Sequence, residues 1–439
     1  MIRNYLFIVI MFVLFGAAIA TPFGALQGYL WFALFRPQDW VWFDISQFRL
    51  SLLLGCFLLF RCFTTKAWPN ISHPISIGMI AFLLTGLIAQ GNAVNPALGW
   101  YWLDFFFRLT IVTLLLITLV NTERRFFWTV LTISSSLGYY TAKAGLASLL
   151  GGGGHFFEGL SGAFSDSNAY ALAGTMIIPM LLAVATNAPE EWRCRKLMTL
   201  GYRVAVPLTA FLIISTFSRG GLLALGAVLF AFLILHRNRF TILAVLILLS
   251  VVVYPFVPIP DGYMDRITTI TTYEEVEETS ALSRLHFWRV GWDMAVDNPL
   301  GVGMFNSGPT YNRYDFSDGL YGKNRVMHSS HFQVLAEQGF VGFAIWGWLF
   351  ISSFRSCFRI RRLAMVELFD ADNIKFYESM TTALIISMFA FLVGGSFISL
   401  ALNDLTWLTF GLVVALEQLY NKSKTLNQNM PGVDRQIVA

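Results

Sequence analysis

The chain has 439 residues, 56% of them hydrophobic and only 13% charged, and its mean hydropathy is +0.62. A soluble protein of this length carries charge on about a quarter of its residues, so the composition argues against a soluble domain and for an integral membrane protein. The net charge of +4 includes no basic run interleaved with aromatics, which speaks against nucleic acid, and the four cysteines (Cys56, Cys62, Cys194, Cys357) lack the spacing of a zinc site or a disulfide framework.

A membrane-spanning helix needs roughly 20 apolar residues. In chain order, such segments run about 5–35, 46–60, 74–90, 102–120, 126–150, 168–187, 203–217, 219–236, 239–257, 333–356, 375–399 and 402–420. They predict an all-α polytopic membrane protein with about 12 transmembrane helices and one long loop between late helices. The chain thus divides into N-terminal transmembrane helices (1–257), an extramembrane loop with short helices (258–332), C-terminal transmembrane helices (333–420) and a tail (421–439). The first segment is broken at Thr21-Pro22-Phe23-Gly24, and the count of 12 takes it to cross once. Arg3, the apolar run and Ala18-Ile19-Ala20 resemble a cleavable signal peptide, but with eleven further spans an uncleaved anchor is the expected reading.

Lys and Arg mark the cytoplasmic side. Arg61 and Lys66, Arg124 and Arg125, Arg193, Arg195 and Lys196, Arg237 and Arg239, and Arg355 through Arg362 fall in alternate connections, and Lys422, Lys424 and Arg3 fall on the same side under this count. The loop 258–332 holds six Lys/Arg against ten Asp/Glu and is therefore expected outside, facing an oxidising periplasm and free of cysteine.

Ionisable residues within spans mark function by default. Arg108, Lys143, Arg219 and Asp404 all fall near the outer ends of their segments, although snorkelling to the interface explains long side chains such as Arg108 and Lys143 equally well. Between Lys143 and Arg219, four glycines (Gly151 to Gly154) break the helix, and Asn168 is placed to cap the next one. Ser218-Arg219-Gly220-Gly221 leaves almost no room for a loop between two spans, and it presents a guanidinium at headgroup depth, where it suits a lipid-linked phosphate.

Within the long loop, Ser283 through Ala295 reads as a helix carrying Arg284 and Arg289, ended by Asn298-Pro299-Leu300-Gly301-Val302-Gly303. A polar, Tyr-rich stretch with Arg313, Tyr314, Tyr321, Lys323 and Arg325 follows. Ser330 and Gln333 have capping-box spacing, so a helix is expected to start just after His328. The positive end of that helix favours a neutral imidazole and attracts anions, which is what a general base beside a phosphate requires. His331 makes an HxxH pair with His328, but no third ligand or DxD motif accompanies it, so no metal is expected, and His331 reads as a packing or acceptor-side residue. His73, His155, His236 and His286 read as ordinary structural histidines.

These pieces resemble the bacterial O-antigen ligase superfamily, which comprises O-antigen ligases, Wzy-type polysaccharide polymerases and protein O-oligosaccharyltransferases. The resemblance rests on Gly162-x-Phe164-x-Asp166-x-Asn168, Ser218-Arg219-Gly220, Ser283-Arg284 with Trp288, Asn298 to Gly303, and His328 eleven residues before Gly339. It covers about residues 150–400, and Phe35-Arg36-Pro37-Gln38-Asp39-Trp40 is similar to the branch of exosortase-associated O-glycosylation ligases. One departure is Ser329, where the family often has Asn.

The resemblance implies a metal-independent, inverting GT-C-type glycosyltransferase in a Gram-negative inner membrane, needing no cofactor. Its donor would be a glycan on undecaprenyl pyrophosphate and its acceptor the lipid A–core oligosaccharide, giving lipopolysaccharide. It makes His328 the catalytic residue and Arg219, Arg284, Arg289 and Arg325 the pyrophosphate-binding set. Asn168, Arg108, Lys143 and His331 are candidates for substrate contact. A polymerase, a protein O-oligosaccharyltransferase and, more remotely, a transporter or flippase are the rival readings. The last would want midplane charges and matching halves.

Overall fold

A computed structural model of the chain describes residues 2–42, 44–152, 166–236, 239, 240, 244, 278–367 and 371–428. Most of the expected segment 239–257, the loop residues 258–277, Gly162, Phe164, His155 and the tail after 428 lie outside the described residues.

Thirteen principal helices order the described residues: α1 Ile2–Ala20, α2 Pro22–Phe35, α3 Leu50–Thr64, α4 Pro74–Ala89, α5 Pro96–Leu119, α6 Glu123–Leu150, α7 Ser167–Thr186, α8 Arg195–Ser215, α9 Arg219–Leu235, α10 Glu278–Asp297, α11 Ser330–Glu367, α12 Ala371–Gly394 and α13 Asp404–Gln428. No strand occurs among the described residues. Seven of these helices, α1, α4, α5, α7, α8, α11 and α12, are long and apolar enough to cross a membrane, and α3 and α9 are shorter apolar helices. Polar caps set several starts: Thr122 accepts from the Arg125 N–H, Asp166 from Asn168 and Ala169, and Asn95 from Leu98.

The first stretch differs from the expectation. Thr21 caps a second helix, with Pro22 at its first position, so α1 and α2 are separate. They run antiparallel, because Gly24 lies against Ala17 and Gly28 against Leu14. The stretch therefore doubles back, and Arg3 lies not beside Arg61 but at the other end, where its guanidinium sits 4.7 Å over the Trp42 ring and Asn4 accepts from the Trp42 N–H. Arg61 instead donates to the Ala20 carbonyl at the α1–α2 turn (3.1 Å). The expected tail also differs, since α13 continues unbroken to Gln428.

Burial sorts the helices. In α7, 89% of the apolar window is buried, against 17% in α1 and in α8, so α7 is central and the other two are peripheral. Beside α7, aromatic rings from α4, α5, α11, α12 and α13 interlock around Trp407, with Phe106 at 4.5 Å, Phe82 at 5.0 Å and Trp346 at 5.8 Å. At one end of the bundle, Arg361 on α11 donates to the Leu235 carbonyl of α9 (2.7 Å), Asn187 after α7 to Ser379 on α12 (2.7 Å), and Tyr377 to Glu123 at the start of α6 (2.8 Å). The opposite end carries α10 and the segment 298–329.

That segment is a folded cap with its own core of Phe287, Val290, Met294, Val302, Tyr311, Met327 and Ala336. It is pinned at a break in α11. Gly339 has φ +67 and ψ −167, which interrupts the helix and leaves carbonyls of the preceding turn without their usual partners. Residues 299–303 meet them: the Val302 N–H donates to the Ala336 carbonyl (3.0 Å), Gly303 to Glu337 (3.1 Å), and Phe340 donates back to Pro299 (3.1 Å). A Cβ on Gly301 would overlap the Glu337 carbonyl, and one on Gly339 the Pro299 carbonyl, so both glycines are required by contact as well as by positive φ. The glycines of the Asn298–Gly303 motif and the distant Gly339 are thus one joint. Asn306 joins the cap to the bundle, accepting from the Asn95 N–H (2.7 Å).

Candidate active site

The α8–α9 connection is as short as expected, but the residue that takes the left-handed conformation is Phe217 (φ +54), not a glycine. Ser218 caps α9 by accepting from the Gly221 N–H (2.9 Å). Gly221 allows the close approach of α7, since a Cβ there would lie 2.6 Å from Ala171. Across this contact the Ser218 hydroxyl donates to Asn168 Oδ1 (2.7 Å). Asn168 is therefore not the cap of α7, because Asp166 performs that function and Asn168 braces the turn carrying Arg219.

Arg219 opens α9, and Arg284 reaches the same place from α10. Burial first, and then the Arg219 charge, lower the Arg284 pKa from its ordinary value. The Arg284 guanidinium lies 5.8 Å from the Phe397 ring centroid and forms no ion pair with a carboxylate among the described residues. Two guanidinium groups within electrostatic reach of each other suit an anion with several oxygens.

His328 stands immediately before α11 with φ +48. Its ring packs 5.3 Å from Phe287. Burial first, then Arg284 and Arg325, lower its pKa, and Asp166 opposes them weakly. The imidazole is consequently neutral near pH 7. The same interactions bring Asp166, Arg284 and Arg325 within electrostatic reach of one histidine, although the three come from distant parts of the chain.

The expected capping box is replaced by a different arrangement. Ser329, not Ser330, caps α11, its hydroxyl accepting from the Phe332 N–H (3.4 Å). This gives the serine that departs from the family pattern a local structural role. Ser330 donates to the Ile398 carbonyl (2.7 Å) and accepts from the Leu400 N–H (3.0 Å), tying α11 to the α12–α13 junction that supplies Phe397.

Other candidates are placed elsewhere. Arg289 pairs with Asp293 on its own helix (3.1 Å) and is largely exposed; five residues beyond Arg284, it projects about 140° around α10. Arg108 pairs likewise with Asp104 (3.1 Å) on α5. Lys143 opens onto an apolar cleft of about 430 Å³ between α6 and α8. His331 turns into the bundle, where Trp346 Nε1–H donates to Nδ1 (3.2 Å), leaving Nε2–H to donate to the Leu392 carbonyl (3.0 Å). With both ring nitrogens satisfied by protein, His331 is a packing residue. No group of three or more His, Cys, Asp or Glu that could hold a metal ion occurs among the described residues.

Several contributors were not singled out by sequence. Phe287 follows Arg284 by three residues and so shares its helix face, a signal that was legible. Phe397 had none, since it arrives from another junction. His286, read as ordinary, is buried and lies 2.9 Å from Asp315 and 3.1 Å from the Tyr311 hydroxyl, holding the Tyr-rich stretch on α10. Burial would raise the Asp315 pKa, but donors from Ser317 and the Gly319 N–H, with His286, hold it at about 2.

Fold and site together define a multi-pass, all-helical membrane protein with a cationic, histidine-bearing site beneath a folded cap. Residues 204–347, from within α8 to beyond the α11 break, match the family model described as O-Antigen ligase, and that match supports the O-antigen ligase superfamily. It contains Arg219, Arg284, Arg325 and His328 and supports a ligase- or polymerase-type enzyme. Residues 2–188 match a family of unknown function (DUF5935). None of the curated proteins matches the chain.

Proposed function

We propose that the protein is an O-antigen ligase, a glycosyltransferase of GT-C type that moves a glycan from undecaprenyl pyrophosphate to lipid A–core oligosaccharide at the periplasmic side of a Gram-negative inner membrane. The observation that carries the reading is the meeting of Arg219, Arg284 and a neutral His328 at one end of the bundle. Arginine-rich helix ends such as those of Arg61 and Arg361 gather at the other end, which supports a periplasmic site.

Arg219 and Arg284 bind the donor pyrophosphate and stabilise the charge that develops as it leaves, with Arg325 adding a third cation nearby. The acceptor hydroxyl oxygen attacks the anomeric carbon from the face opposite the pyrophosphate. The new glycosidic bond forms as the carbon–oxygen bond to pyrophosphate breaks, the electron pair going to the departing oxygen and the hydroxyl proton to His328. Configuration inverts. Arginines supply the charge complementarity, so no metal is required.

The test is transfer by purified protein with undecaprenyl-pyrophosphate glycan, with and without lipid A–core, in EDTA. Glycan-bearing lipid A–core at undiminished yield in EDTA is the expected product. Carrier-linked ladders without the acceptor would make the protein a polymerase, transfer only to a protein acceptor an oligosaccharyltransferase, and no product in any arm would favour transport. Arg219→Ala, Arg284→Ala and His328→Ala should each lower transfer by about 10²-fold or more in protein that still folds; full activity in all three would overturn the mechanism.

A further inference from the structure

At the end of the bundle away from His328, a cavity of about 390 Å³ opens between the C-terminus of α7, the first turns of α8 and the start of α12. Four cations line it, Arg195, Lys196 and Arg203 from α8 and Lys375 from α12, together with Thr186 and Thr199. The Asn187–Ser379 hydrogen bond (2.7 Å) holds α12 against α7 one turn from Lys375, which explains how Lys375 reaches a pocket built mainly by α8. Arg195 pairs with Glu190 (2.7 Å), but no carboxylate pairs with Lys196, Arg203 or Lys375 among the described residues.

Membrane topology alone asks only for basic residues in the connecting loop. Arg203 lies eight residues inside α8, about 12 Å along its axis, and Lys375 belongs to a different connection. Their convergence on one cavity is more than topology requires. Beside it, α8 exposes Leu197 (72%), Leu200 (58%) and Val204 (46%), which follow one another at helical spacing and form an apolar strip leading away from the cations.

We propose that this pocket holds the phosphate headgroup of an anionic membrane lipid, its acyl chains lying along Leu197, Leu200 and Val204. Basic pockets between helices at a membrane surface bind such headgroups. With Arg195 paired to Glu190, the remaining three cations still exceed the charge of one phosphate diester, so a headgroup with two phosphates, as in a diphosphatidylglycerol, complements the pocket best. The site is separate from the donor site, because α7 spans 20 residues, about 30 Å, from Ser167 to Thr186.

The experiment uses the full chain in detergent, stripped of lipid, and measures bound lipid by native mass spectrometry and melting temperature on addition of diphosphatidylglycerol, phosphatidylethanolamine, inorganic phosphate or pyrophosphate. Diphosphatidylglycerol should bind in preference to phosphatidylethanolamine and raise the melting temperature, and the soluble anions should do neither. Arg203→Gln with Lys375→Gln should weaken diphosphatidylglycerol binding about tenfold or more, and Arg203→Lys with Lys375→Arg should retain it. Equal lipid binding by wild type and the Gln pair, equal binding of phosphatidylethanolamine, or stabilisation by soluble phosphate alone would each overturn the proposal. These readouts require no glycan transfer and stand apart from the ligase assignment.

Discussion

The His328 imidazole is neutral at pH 7 because burial and then the charges of Arg284 and Arg325 lower its pKa. For a general base this sets a sign: activity should hold from about pH 8 to 6.5 and be lost at lower pH, as the ring takes up a proton. Bound pyrophosphate offsets the arginine charges, so the acid limb of kcat should lie at higher pH than that of kcat/KM. Rates measured across pH at low and saturating donor check this, and identical limbs would argue that His328 only orients the acceptor. A second outcome separates two arginines of one helix. Arg284→Ala should cost about 10²–10³-fold in transfer, whereas Arg289→Ala should stay near wild type, because Arg289 faces away and is held by Asp293. Residue types were legible at this scale and partners were not. Asn168 has capping chemistry in any reading, yet its side chain meets Ser218, which is 50 positions away.

Among the elements, the joint between residues 299–303 and the break in α11 holds the cap and, through it, Arg284 and Phe287. Gly339→Ala should cost about 2–4 kcal/mol, as backbone strain adds to overlap with the Pro299 carbonyl. Gly347→Ala, in the same helix with open space around it, serves as the control. Melting temperature in detergent measures the difference, and equal values would show that the joint carries no stability. The Asp315 carboxyl is held at about 2, below its ordinary 3.8, so its contribution to the cap is complete above about pH 4 and lost as pH falls towards 2. Asp315→Asn should remove that dependence, read as the melting temperature in detergent at about pH 2 and at pH 7, with a lower value than wild type at pH 7. Helix positions were legible from apolar run length, but the doubling back at Thr21-Pro22 was not. A proline one residue after a capping threonine reads equally as a kink or as the first turn of a new helix.

For the molecule as a whole, the antiparallel α1–α2 pair puts Asn4, Trp42 and the cap at one end and Thr65 at the other. In a background without native cysteine, a cysteine at Trp42 should react with an impermeant maleimide from the same side as one at Arg313, and a cysteine at Thr65 only from the opposite side. Labelling of positions 42 and 65 from one side would overturn this arrangement.

Sequence alone determined that this is a helical membrane protein, because long apolar runs and sparse charge are local properties that no tertiary contact can reverse. It also pointed to the O-antigen ligase superfamily, since the motifs around Arg219, Arg284 and His328 are recognisable in order along the chain, and the match of residues 204–347 supports that reading. Tertiary structure alone decided which charges meet. Arg284 and Arg289 differ only by a rotation about one helix, His328 and His331 by less than a turn, and in each pair one residue enters the site while the other is satisfied elsewhere. Such choices depend on which neighbouring helix face is polar, and that is set by packing between segments far apart in sequence.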